Sequence, residues 1–337
     1  GEEISNTKLD GIEDYMDSLK SGAKKFRSFK KGASLVVTNG TIQDGLSQLI
    51  LDYFRMLFHI DIIKFNSMLK QLRANRAVLN EMYETIGFLD SMIAVASFRE
   101  LMGAYCEPKL VDTKQPILEA EEIYHPLISN PVKNSLRENK NILLTGSNAS
   151  GKSTFLKTLA INAILAQTIY TCLAKEYRGS YYKILSSMAL QDNIFSSESY
   201  YMVEIKSLKR ILDQVKDDVP VLCFVDEVLR GTNTLERIAA SAEILHSFTK
   251  HRVLCVAATH DNELTYILEN EFHNYHFQEE IVDNDVIFDY RLYKGRAVSK
   301  NAIQLLGIIG YDRNIIDAAM KRANTFLDTG EWRVFPS

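Results

Sequence analysis

The chain has 337 residues, of which 46% are apolar and 24% charged, and a formal net charge of -4. This composition excludes an intrinsically disordered chain, and it excludes one that holds nucleic acid by bulk positive charge. The length exceeds what a single hydrophobic core supports, so two structural units are expected.

Taken in chain order, residues 1–19 hold six acids, and residues 20–31 hold six bases, Lys20, Lys24, Lys25, Arg27, Lys30 and Lys31, with Phe26 and Phe29 between them. Such a block is either a solvated helix face or a contact for nucleic acid or an acidic partner. The apolar stretch 45–65 carries Asp52, Arg55, His59 and Asp61, which argue against a membrane span. No signal peptide is visible. Because the chain begins with Gly1 rather than methionine, it is expected to be part of a longer protein with domains upstream. Few helix breakers occur before Pro108, so residues 1–106 are expected to form an all-α domain. The cysteines, Cys106, Cys172, Cys223 and Cys255, are scattered without a CxxC pair. That spacing suits buried thiols in a reducing cytoplasm better than a zinc site or a disulfide framework.

From about residue 110 the texture changes. Short apolar runs at 141–145, 221–226 and 252–259 read as strands, and 152–168 and 234–248 read as helices between them. In the second helix Leu235, Ile238, Ala239, Ala242, Leu245 and Phe248 fall on one stripe, as a helix covering a sheet requires. Residues 107–337 are therefore expected to be an α/β domain with a mainly parallel sheet flanked by helices.

The first strand runs into Gly146-Ser147-Asn148-Ala149-Ser150-Gly151-Lys152-Ser153-Thr154, which has the spacing G-x4-G-K-[S/T] and opens a helix. Glycines at both ends let the backbone N–H groups wrap a phosphate, and the helix N-terminus adds a favourable dipole. Lys152 is expected to reach the β and γ phosphates of a nucleotide, and Ser153 to ligate Mg2+. The second strand ends in Asp226 and Glu227. Asp226 is expected to serve the metal, directly or through water, and Glu227 to act as general base toward a water. The third ends in Thr259-His260-Asp261, which puts an imidazole at the same sheet edge, where it can hydrogen-bond the γ-phosphate.

Together these motifs resemble the ABC superclass of ATPases, and within it the ATPase end of the MutS family. The resemblance covers roughly residues 85–327 and rests on His125-Pro-Leu, the loop 146–154, Ser199-Tyr-Tyr-Met-Val-Glu204, Asp226-Glu-Val-Leu-Arg-Gly-Thr-Asn-Thr234 and Ala258-Thr-His260. It implies a P-loop ATPase of ABC type that uses ATP and Mg2+. It also implies a dimer in which Ser199 meets the nucleotide of the partner subunit, so that two protomers bury two ATP molecules. Read from the residues alone, Ser196, Ser197 and Ser199 are a polar stretch or a helix N-cap. The resemblance further brings Asn148 to the nucleotide, sets the adenine against Leu127, Ile128 and Asn130, and matches Tyr290 to a position where the family often has a stacking histidine. Residues 299–307 and 312–324 look like the family's closing helices, and the helical half like its core and lever region.

The chain also departs from the family pattern. Ser147 stands where the family usually has proline, Ala149-Ser150 where it has glycines, and Tyr200 where its signature has threonine. The triplet Phe98-Arg-Glu100 lies in a helical stretch and is read as coincidental to the family's mismatch-reading Phe-x-Glu. The expected function is a Mg-dependent ATPase driving a dimeric clamp on DNA, in mismatch repair or recombination. The alternative is a nucleotide-gated scaffold, or an RNA- or ribosome-associated relative without mismatch recognition.

Overall fold

The computed structural model describes residues 11–27, 29, 53, 56–147, 149–188, 200–215, 219–230, 232–282, 285–297, 302–332 and 334–335. Asn148, the serines at 196, 197 and 199, Lys30 and Lys31 lie outside the described residues. The chain divides into two compact units, Gly1–Leu101 and Met102–Ser337.

The described part of the first unit is helical, with α1 over Glu13–Lys25, α2 over Ile60–Ala74 and α3 beginning the long run Arg76–Met102. Acids in the first turn of α1 and lysines in its last complement the helix dipole. Met16, Leu19 and Gly22 are buried. Tyr15 stacks on Phe88, Ser18 Oγ donates to Glu81 Oε1 at 2.7 Å, and a Cβ on Gly22 would collide with the Met82 sulfur, so α1 lies closely on α3. Lys20, Lys24, Lys25 and Arg27 are exposed, as both a solvated face and a contact surface require. Phe98-Arg-Glu100 lies within α3. Among the described residues no helix is long and apolar enough to cross a membrane.

The second unit is mixed α/β. One sheet joins β1 (Lys109–Val111), β2 (Leu118–Ile123), β3 (Asn134–Glu138) and β5 (Glu176–Ser180) in the order β1-β5-β2-β3, with β2 antiparallel to both neighbours. The larger sheet joins β4 (Asn141–Thr145), β6 (Lys183–Ser187), β7 (Val221–Asp226), β8 (Val253–Ala258), β9 (Phe272–His276) and β12 (Tyr293–Lys294) in the order β12-β9-β4-β8-β7-β6. All of its pairings are parallel except β12 with β9. The hairpin β10 (Glu279–Val282) and β11 (Asp285–Phe288) stands apart as a two-stranded sheet.

Side chains of the central strands alternate between two apolar layers, as the pleat requires. Ile142, Leu144, Leu222, Phe224, Leu254 and Val256 pack beneath α4 (Lys152–Thr168) with Phe155, Leu156 and Leu159. Leu143, Cys223, Val225, Cys255 and Ala257 pack on the other face against Leu208 and Ile211 of α5 (Tyr200–Gln214) and Leu245 and Phe248 of α6 (Thr234–Phe248). Burial on both faces is why β4, β7 and β8 read as unbroken apolar runs. Phe224 is fully buried in β7. Phe224→Ala is expected to cost about 3–5 kcal/mol in urea unfolding, by leaving a cavity under α4.

Short helix α7 (Asn262–Ile267) follows β8, and α8 (Ala302–Ile309) with α9 (Arg313–Thr329) close the chain. The last pair differs in extent from the expected 299–307 and 312–324. Gly307 is accommodated inside α8, and Asp312 is the N-cap of α9, its carboxylate accepting from Asn314 N.

Candidate functional site

Parallel strands deliver their C-terminal ends to one edge, and there the expected residues meet. The loop after β4 turns on Gly146 and Gly151, at φ 147° and 104°, with Ala149 between them at 64°. Gly146 is required for contact reasons too, since a Cβ on it would lie 2.8 Å from Ser150 Oγ and 2.9 Å from the Phe277 carbonyl oxygen. Gly146→Ala is expected to destabilise the protein by about 1–3 kcal/mol through this crowding and the backbone strain. Phosphate-bearing ligands should be weakened more than uncharged ones; melting temperature and ligand titrations check both.

Lys152, only 5% exposed, donates to the carbonyl oxygens of Gly146 and Ser147 at 2.8 Å each. Burial pulls its ammonium down to about 8, against the opposing fields of Glu227, Asp226 and Glu279. Ser150 Oγ is buried and has no hydrogen-bond partner among the described residues. An orphaned hydroxyl, a buried lysine folded back on loop carbonyls and a helix N-terminus at Gly151 are the features of a cradle for an anion.

Glu227 follows β7 at φ 58°, anchored by its N–H to the Ala258 carbonyl. Its carboxylate carries His260 Nε2 on Oε1 at 2.8 Å and Arg230 Nε on Oε2 at 2.9 Å. The His260 hydrogen bond, and then the His260, Arg230 and Lys152 charges, hold this carboxyl below the usual range against the opposing effect of burial. Asp261 forms a two-pronged ion pair with Arg237 of α6, at 2.9 and 2.6 Å, which fixes the turn that presents His260.

A cavity of about 580 Å3 joins these parts. Its wall includes Ala149 to Thr154, Glu227, His260, Ile128, Asn130 and Tyr290, and the Tyr290 ring lies against the loop, 3.2 Å from where a Cβ on Gly151 would stand. Leu127, expected beside them, is 85% exposed and does not line it, and neither do Gly146, Ser147 or Asp226. Asn148 and Ser199 lie outside the described residues. Asn134 holds Tyr290 in place, donating to its carbonyl oxygen and accepting from Leu292 N.

Two acids at the site had no role in the sequence reading. Glu204 of α5 is buried and accepts from Leu229 N at 2.7 Å and Arg230 N at 3.0 Å, tying that helix to the turn after Glu227. Burial raises its carboxyl, opposed by those two bonds. Its position on the buried stripe with Leu208 and Ile211 is the signal that marks it. Glu279 accepts from Ser147 Oγ at 2.5 Å.

Among the described residues no three His, Cys, Asp or Glu side chains group to hold a metal by themselves. Ser153 and Asp226 offer the hard oxygen donors that Mg2+ takes when ligand oxygens complete its shell. The orphaned Ser150 hydroxyl and the buried Lys152 ammonium fit an anionic ligand such as a polyphosphate, with Ser153 on the cavity wall and Asp226 at the end of β7 outside it.

The family model described as MutS domain V matches residues 142–327. The DNA mismatch repair protein MSH3 of Debaryomyces hansenii is 27% identical over 290 residues, covering 79% of this chain and 28% of that protein. The DNA mismatch repair protein MutS of Desulfatibacillum aliphaticivorans is 28% identical, covering 80% and 32%. MutS protein homolog 4 of Homo sapiens is 29% identical, covering 80% and 29%. The chain thus spans about 30% of the length of these curated relatives. With more than half of its residues matched by that model, the chain belongs to the MutS family.

Proposed function

We propose that this chain is the ATP-hydrolysing end of a MutS-family protein, a P-loop ATPase of ABC type that works as a dimer. The observation that carries the reading is the single cavity in which an anion cradle with an orphaned Ser150 hydroxyl faces Glu227 and His260. The sheet order, with the loop after β4 and the acids after its second neighbour β7, supports the ABC assignment.

In this reading ATP is the substrate. Ser153 and Asp226 would hold Mg2+, which when bound supplies positive charge to the phosphate oxygens. Lys152 exchanges the carbonyls of Gly146 and Ser147 for phosphate oxygens, regaining charged partners for a buried ammonium. Glu227, held ionised, takes a proton from the attacking water once Arg230 leaves its second oxygen. His260 keeps the first oxygen aimed and can face the γ-phosphate. Gly146 to Thr154, Asn148 included, wrap the phosphates; Ile128, Asn130 and Tyr290 bound the adenine side, with Leu127 at its outer edge. Ser199 acts on the partner's nucleotide.

The helical unit, Gly1–Leu101 where the sequence predicts 1–106, transmits nucleotide state to a clamp on nucleic acid. DNA is favoured because relatives of this chain are named DNA mismatch repair proteins. A cytoplasmic setting belongs to the same reading. The test is ATP turnover against protein concentration, with and without duplex DNA. Turnover per protomer should rise with concentration until dimers saturate and should change when DNA is added. A constant rate in the dilute range would remove the composite site, and indifference to DNA would favour a nucleotide-gated scaffold.

A further inference from the structure

β9 continues past His276 along the phosphate loop. Phe277 N donates to the Thr145 carbonyl, and the Phe277 carbonyl crowds Gly146. Tyr275, Phe277 and Glu279 alternate in the strand sense, and all are buried, at 7%, 2% and 8% exposure. Tyr275 and Phe277 belong to the apolar layer under α4. Glu279 thus puts a carboxylate where the pattern calls for an apolar side chain. A carboxylate has about four acceptor positions. Here the hydrogen bond recorded to it is from Ser147 Oγ, and among the described residues it forms no ion pair. Such a group is costly for the fold. Its field nevertheless reaches Lys152, so in the empty loop it adds to the negative surroundings of a buried ammonium. A polyphosphate entering the same cradle meets that charge as repulsion.

We infer that Glu279, latched by the Ser147 hydroxyl behind the loop whose Ser147 carbonyl accepts from Lys152, is a specificity-determining residue that acts on the phosphate cradle as a built-in counter-anion. It weakens binding in proportion to the negative charge the nucleotide brings. The site therefore discriminates against uncomplexed nucleoside triphosphate and in favour of the magnesium complex, whose net charge is lower. The inference rests on reading the cavity as a nucleotide site. Ser147 and Glu279 act as a pair, since the hydroxyl donates and holds the carboxylate inward.

Equilibrium titrations of ATP, ADP and adenosine into the unsubstituted protein, Glu279→Gln and Ser147→Ala, with and without Mg2+, test this. Glutamine keeps the shape and can still accept from Ser147, and only the charge is lost. In Glu279→Gln, metal-free ATP should bind about tenfold more tightly, the size expected for removing one partly buried charge near the phosphates. ADP should gain less, adenosine should not change, and Mg2+ should shrink the ATP gain. Ser147→Ala should show the same order of gains, but smaller, because the released carboxylate can turn toward water. Unchanged or weaker ATP binding in a folded Glu279→Gln protein overturns the inference, as does an equal shift for all three ligands. Should Glu279→Gln not fold, Ser147→Ala decides: ATP tightened relative to adenosine upholds the inference, and no change overturns it. If the unsubstituted protein binds none of the three, the reading of the cavity itself falls.

Discussion

Glu227→Gln is expected to lower ATP turnover on the order of 10²–10⁴-fold, the range supplied by a positioned general base, while leaving ATP affinity within a few-fold. The substitution keeps the size of the side chain and an oxygen for His260 or Arg230, so the turn after β7 should hold its shape. What disappears is a carboxylate that the His260 hydrogen bond and neighbouring cations keep ionised. Glutamine cannot accept the proton that the attacking water must lose. Single-turnover phosphate release, measured beside nucleotide binding, separates the two effects. Bound nucleotide that is not hydrolysed should also accumulate dimers, visible by light scattering. A variant that hydrolyses ATP at the unsubstituted rate would take the base assignment away from Glu227.

Lys152→Ala should act on binding instead. Hydrogen bonds from a charged donor contribute roughly 1.5–3 kcal/mol, so ATP affinity is expected to fall roughly 10–150-fold. Adenosine, which lacks phosphates, should bind as before. The fold should suffer little by comparison. Burial already pulls the ammonium down to about 8, so alanine removes a desolvated charge along with its two bonds to the loop carbonyls. Parallel titrations of ATP and adenosine, with melting temperatures, distinguish lost phosphate recognition from a collapsed loop. Equal losses for both ligands would mean that Lys152 supports the loop rather than the phosphates.

The parts of this protein that were legible in its sequence are those buried on both faces or forced by backbone geometry. β4, β7, α4 and α6 have the bounds their apolar runs imply, because each run stops where glycine, a charged pair or the Asn233 N-cap ends burial. The four-stranded sheet was not legible. Its strand β2 reads Leu-Glu-Ala-Glu-Glu-Ile, and a register shift between Ala120 and Ile123, with Glu122 at φ 53°, breaks the alternation that would have marked it. In the site, Lys152, Glu227 and His260 were readable because each ends a strand or opens a helix at one sheet edge. Glu204 and Glu279 were harder to read because their partners are 25 and 132 residues away. Only the fold brings those pairs together. Each does carry a local mark, an acid in an apolar helical stripe and an acid continuing a buried strand pattern.

Mg2+-dependent release of phosphate from ATP tests the central claim most directly. It should be followed for the purified chain at a concentration that allows dimers, side by side with Lys152→Ala. Release that requires Mg2+ and is lost in the variant is the expected result. No release by the unsubstituted chain, or equal release by both proteins, would contradict the assignment of ATP hydrolysis to the loop between β4 and α4.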